Sequence, residues 1–292
     1  MKRIANFVLC LCLLAGCICT AAAQESSQAP HKVLVIAREF VKPGRGGMIH
    51  EKAESAFVQA FSRAQWPTHY VGMTSLSGKS RALFFLGYDS LEAWEKDNMA
   101  MQKNPALAAA VDHAGFVDGD LLESMDGGTF TYREDYSLRP NADLSHRRYM
   151  EVSVFHVRPG HTKEWDDGMK MVLAAFQKGV PDAHWACYEV AYGLPDNTFL
   201  FLTARTSLAE VDKAYADNKD FAATMGEEGM KKLEELTAAS VESSESNLFA
   251  IDPRMSYVSG DVIKADPEFW SPKPAAEPAE HKKAGSKKPA AQ

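Results

Sequence analysis

A four-residue stretch that occurs twice constrains this chain more than any other feature. Val41-Lys42-Pro43-Gly44 closes the β-branched run that begins at Val33, and Val157-Arg158-Pro159-Gly160 closes the run that begins at Tyr149. A strand-forming run stopped by Pro-Gly reads as a strand followed by a turn. A helix follows each turn. Ile49, Ala53, Ala56, Phe57 and Ala60 recur at helical spacing, and 116 residues on the same places hold Trp165, Met169, Val172, Leu173 and Phe176. Two different sequences keep one apolar stripe behind one turn, which marks an internal repeat.

The order continues in parallel. Each helix is followed by a proline-containing turn and a histidine-aromatic pair, Trp66-Pro67-Thr68-His69-Tyr70 and Pro181-Asp182-Ala183-His184-Trp185, now 115 residues apart. Strands run from there to Gly78 and Gly193, and tight turns lead to strands at 82–86 and 199–203, so each pair reads as a hairpin. Helices then start at Asp89-Ser90-Leu91-Glu92 and Thr206-Ser207-Leu208-Ala209-Glu210. Asp89 with Glu92 and Ser207 with Glu210 have the spacing of a capping box. These helices run brokenly past Asn104-Pro105 and Asn218, and strands at 128–133 and 247–252 close the two copies. The order β-α-β-β-α-β, run twice, is that of two tandem ferredoxin-like units in an α+β fold, covering about 31–140 and 147–259.

The strand ending in Pro-Gly, the amphipathic helix and the run Phe84-Phe85-Leu86-Gly87-Tyr88-Asp89-Ser90-Leu91-Glu92-Ala93-Trp94-Glu95 together resemble the dimeric α/β-barrel superfamily. The likeness is to its NIPSNAP-like and EthD-like members and covers nearly all of the two copies. It implies two βαββαβ units with their sheets face to face around a cavity. Because this chain carries both units, it implies a barrel closed within one chain, so that a monomer suffices. The chain departs from the NIPSNAP-like pattern after Asn104, where Pro105-Ala106-Leu107 stands in place of an acidic-Trp ending, and Ala204-Arg205-Thr206 precedes Ser207 in the second copy.

Composition bounds the function. Of the 292 residues, 46% are hydrophobic and 10% aromatic, enough to build packed cores. Without the first 25 residues and the tail from 271, 25 Lys and Arg stand against 36 Asp and Glu. A surface of that sign repels phosphate backbones, and no basic patch offsets it, so no nucleic-acid partner is expected. Residues 1–23 combine a basic start, an apolar core and Ala21-Ala22-Ala23, which reads as a secretory signal. Leu14-Ala15-Gly16-Cys17 also resembles a lipobox, so cleavage after Ala23 and lipidation at Cys17 both stay open. Either way the protein is expected to be exported to the periplasm or cell envelope, touching the membrane only if it is lipidated. Four cysteines sit inside that signal, which leaves Cys187 as a small buried hydrophobe with no partner. From 271 to 292 the chain is Pro, Ala and Lys, the composition of a disordered tail.

Chemistry is harder to read. There is no HExxH, G-x-S-x-G, P-loop or CxxC, and Gly44-Arg45-Gly46-Gly47 reads as a flexible turn rather than a phosphate cradle. His69 and His184 occupy equivalent places, and histidine both donates and accepts protons near neutrality, so these two are the candidate catalytic residues. Equivalent places in a repeat also suit a shared structural duty, such as bonding the preceding turn. Alternation sets Glu151, Ser153 and Phe155 against Met150, Val152, Val154 and His156; the second set is expected to face the helices and Glu151 the barrel. Tyr70, Trp185, Tyr188 and Glu189 complete the candidate ligand-binding set. Glu39 and Arg38 read as the solvent-exposed end of a strand. No cofactor is called for; a haem or metal site is a third option, since paired histidines occur without close ligand spacing. Two functions are expected to compete: an exported protein that binds a small apolar molecule in an oxygenase-like barrel, and a non-catalytic envelope interaction module whose barrel core is filled.

Overall fold

Each Pro-Gly turn reverses the chain so that a helix folds back over the strand it follows. In both copies the turn glycine, Gly44 or Gly160, sits at positive φ (78° and 85°), where a side chain would be strained. The computed structural model describes residues 29–141 and 143–271. The expected signal at 1–23 and residues 272–292 of the expected tail lie outside the described residues. The first half runs β1 (Val33–Val41), α1 (Met48–Ala64), β2 (Tyr70–Ser75), β3 (Arg81–Tyr88), α2 (Leu91–Gln102), α3 (Pro105–Gly119) and β4 (Leu122–Tyr132). The second runs β5 (Tyr149–Val157), α4 (Thr162–Gly179), β6 (Ala186–Tyr192), β7 (Thr198–Arg205), α5 (Leu208–Ser240) and β8 (Val241–Ile251), followed by the short helices α6 (Gly260–Ala265) and α7 (Pro267–Trp270).

The eight strands close into one antiparallel barrel in the order β1-β3-β2-β8-β5-β7-β6-β4. Within each half the order is the same, β4-β1-β3-β2 and β8-β5-β7-β6. Two seams join the halves: β2 pairs β8 through Met73 with Ile251, and β4 pairs β6 through Tyr132 with Tyr188. Closure leaves no free sheet edge. The middle of the barrel is filled by Ile36, Met73, Leu83, Phe130, Val152, Leu200 and Phe249, all buried. Toward one end Arg38, Arg81 and Glu245 line the remaining space.

Outside the barrel, α1 packs with α3 and α4 with α5. In α4 the expected stripe is buried at Trp165 and Met169, with Trp165 stacked on Phe199 at 5.1 Å. In α1 it begins one residue late: Ile49 is 49% exposed, and the buried set is His50, Ala53, Glu54 and Ala60. On β5 the assignment of faces is the reverse of the expected one. Met150, Val152 and Val154 point into the barrel, while Phe155 packs outward against Trp165. Both faces of this strand are covered, so alternation separates two sets without saying which one the helices take.

Helix ends also depart from the expectation by small steps. Ser90, not Asp89, caps α2 by accepting from the Ala93 N–H at 3.0 Å. Glu210 accepts from the Thr206 N–H at 3.1 Å instead of bonding Ser207. Asn104 caps α3 with Pro105 in its first turn, whereas α5 runs through Asn218 and breaks at Gly226. Among the described residues no helix is long and apolar enough to cross a membrane.

After β8 the chain turns back across β2. Tyr70 and Tyr257 exchange backbone hydrogen bonds at 2.8 and 3.0 Å, and the Gly72 N–H donates to Ser256 Oγ at 2.9 Å. A Cβ on Gly72 would stand 2.4 Å from the Met255 carbonyl oxygen, a backbone atom with no room to yield. Gly72→Ala is therefore expected to destabilise the chain by about 1–3 kcal/mol, checked by chemical denaturation. Unchanged stability would show that the crossing segment is not held against β2.

Candidate functional site

The barrel is open at the end where β1 begins. A cavity of about 430 Å³ sits there. Its walls come from inward-facing strand residues, among them Leu34, Val71, Phe85, Met150, Tyr188, Leu202 and Ala204. Its rim carries His31, Thr68, His69, His184, Trp185 and Ser259. Small residues shape the mouth: Ala204 stands where a larger side chain would fill it, and Gly87 makes room for the His31 ring, which a Cβ there would meet at 2.0 Å.

The two sequence-predicted histidines both line this cavity, and their local bonding is alike. His184 places Nδ1 3.0 Å from the Asp182 carbonyl oxygen and Nε2 3.0 Å from that of Ala204. Both neighbours are acceptors, so a neutral ring donates to only one of them. His69 is hydrogen-bonded to the Pro67 carbonyl, again two residues back, and burial lowers its pKa below the usual histidine value. Its ring stacks on Tyr257 with centroids 4.9 Å apart. His69 therefore enters the neutral pH range with one nitrogen tied to the backbone.

Tyr70, Trp185 and Tyr188 also line the cavity. The Tyr188 hydroxyl donates to the His31 carbonyl at 3.1 Å, and burial raises its pKa. Trp185 Nε1 donates to the Tyr136 carbonyl at 2.8 Å and its ring packs edge-on to Phe176 of α4 at 5.2 Å, so the indole lies in the layer outside the barrel. Tyr70 packs its ring edge-on to Phe61 and Phe84 in the layer outside the barrel. Glu151 and Glu189 are not in the cavity. The first accepts from Arg205 Nε at 2.6 Å and the second from Arg133 at 2.5 Å. Both lie on the outward face, because they alternate with the inward Met150 and Tyr188.

A second cluster was not legible in the sequence. Glu39 is buried at 7% exposure rather than ending β1 in solvent, and it meets His50 and Glu54 of α1 and Asp118 of α3. His50 Nε2 lies 3.1 Å from Glu39, 3.3 Å from Asp118 and 4.0 Å from Glu54. Burial alone would lower the His50 pKa, but Asp118 and Glu39 at the ring nitrogen outweigh it and push the pKa up to about 10. Burial, then the charges of Glu39 and Asp118, raise Glu54 to about 9. The one local signal was His50-x-x-x-Glu54, a four-residue spacing that puts both on the face of Ala53 and Ala60.

No family model matches the chain, and neither does any curated protein. Solved structures do. An anthrone oxidase-like protein superposes with a TM-score of 0.49 at 15% identity over 77% of this chain and 92% of its own. A monooxygenase-class protein of Lactobacillus acidophilus gives 0.45 at 9% identity, over 75% and 93%. A chlorite dismutase of Candidatus Nitrospira defluvii gives 0.45 at 11%, over 80% and 96%. At these identities and scores the likeness is one of outline and carries no activity with it.

Proposed function

We propose that this chain is a fused pair of ferredoxin-like units whose barrel mouth binds a small, mainly apolar molecule, as the resemblance to NIPSNAP-like and EthD-like barrels implies. The observation that carries the reading is the cavity of about 430 Å³ in a barrel filled elsewhere. Pockets of this size with apolar walls and a few polar rim groups suit small organic ligands. His69 is the group on the rim best placed to accept a proton, because burial keeps it neutral and one nitrogen remains after its bond to Pro67. His184, with both nitrogens facing carbonyls, positions the turn before β6 instead. The sequence of residues 1–23 supports export as part of the same reading, and mass spectrometry of the mature N-terminus separates cleavage before Gln24 from lipidation at Cys17.

Native mass spectrometry and an absorption spectrum of the full chain purified from its own host test the binding. A retained small molecule is expected in the wild type. Ala204→Phe, which grows a ring into the mouth, is expected to lose it while melting within a few degrees of wild type. A chain that is empty, and that binds an apolar fluorescent probe no better than Ala204→Phe does, would favour a filled interaction module.

A further inference from the structure

We infer that Glu39, His50, Glu54 and Asp118 hold a divalent first-row transition cation between β1, α1 and α3. The four donor atoms all lie within 4.8 Å of one another, and every contributing residue is buried. Four ligands about 2.0–2.2 Å from a cation in a tetrahedral array stand about 3.3–3.6 Å from one another. The distances from His50 Nε2 to the three carboxylates, 3.1, 3.3 and 4.0 Å, bracket that spacing.

Hydrogen bonding within the cluster accounts for it only in part, since a side-chain bond between Glu54 and Asp118 requires one of the two to keep a proton. One ring N–H serves one acceptor well, and Glu39 takes it. Glu54 Oε1 and Asp118 Oδ1 are buried without a hydrogen-bond partner, on residues only 3% and 2% exposed, and both face the same ring nitrogen. A buried carboxylate oxygen without a partner is costly, and a cation at the centre would satisfy both at once.

The fold itself does not demand polar residues in this layer. In the 116-residue register of the repeat, Glu39, His50 and Glu54 correspond to Phe155, Asp166 and Lys170. There Phe155 packs on Trp165 at 5.5 Å, while Asp166 accepts from the Tyr136 hydroxyl. The second half thus sets aromatic rings between β5 and α4 where the first half sets the polar cluster. The donor set, one imidazole and three carboxylates with no sulfur, suits Mn²⁺, Fe²⁺ or Zn²⁺ rather than a thiolate-seeking ion. Such a cation would tie two helices to the outer face of β1, apart from the cavity, so the inference stands independently of ligand binding.

The test uses the full chain stripped with EDTA and then titrated with Mn²⁺ or Zn²⁺. About one ion per chain is expected, with a rise in melting temperature. Glu54→Gln and Asp118→Asn should each weaken binding by at least ~100-fold and abolish that rise, while Glu151→Gln changes neither. Absorption at the zinc K-edge of the loaded wild type needs no variant: one nitrogen and three oxygens at about 2.0–2.2 Å are expected. No binding above a surface background, binding undiminished in both variants, or an ion ligated by water alone would each overturn the inference.

Discussion

Phe249→Ala is expected to lower the stability of the chain by about 3–5 kcal/mol, with a melting temperature roughly 10 °C lower. Phe249 is fully buried at the centre of the barrel, on β8, where that strand pairs with Ser75 on one side and Met150 on the other. It is therefore part of the seam that joins the two halves. Its ring shares the interior with Ile36, Leu83, Phe130 and Leu200 from strands all around the barrel, and Arg81 lies over it at 5.4 Å. Closed walls cannot collapse into the space a ring vacates, so the cavity term adds to the lost burial. Denaturant unfolding of the variant checks this; a loss below about 1 kcal/mol would mean that the barrel contracts around the hole.

The second large effect is at the acidic cluster. In chain stripped of metal by chelator, His50→Leu is expected to cost about 3–5 kcal/mol, because it leaves three buried carboxyl groups without their counter-charge. The pH dependence of the stripped wild type follows from the same groups. His50, about 10 in the folded chain against 6.5, and Glu54, about 9 against 4.5, both bind protons more tightly folded than unfolded. Their contribution is complete below the unfolded values and is lost as pH rises through the folded ones. Melting temperature should therefore fall between about pH 4.5 and pH 10, most steeply from about 6.5 to 9, where both groups contribute. Melts across that range, with and without chelator, check the sign. A flat profile in the stripped wild type would show that His50 is not held as an imidazolium.

The sequence by itself determined the order of elements, the two hairpins and the repeat, because these rest on local signals. Pro-Gly turns stop strands, apolar residues at helical spacing mark helices, and both operate within a dozen residues. Hence β1, α1, β3, β5, α4 and β7 lie close to where the sequence puts them. The sequence puts His69-Tyr70 and His184-Trp185 after equivalent turns, and these four with Tyr188 line the cavity, although the rings of Tyr70 and Trp185 pack outside the barrel.

Only tertiary structure decided what depends on partners distant in the chain. Strands β4 and β8 begin at Leu122 and Val241, well before the starts at 128 and 247 read from the sequence, because pairing with β1 and β5 extends them through mainly polar stretches that show no alternation. Which face of β5 looks inward, and hence the outward pairing of Glu151 with Arg205, was set by barrel closure rather than by the strand's own pattern. The cluster at His50 draws Glu39 from a strand, His50 and Glu54 from one helix and Asp118 from another. No window of sequence holds all four, so their convergence is a property of packing α1 and α3 against β1 and of nothing local.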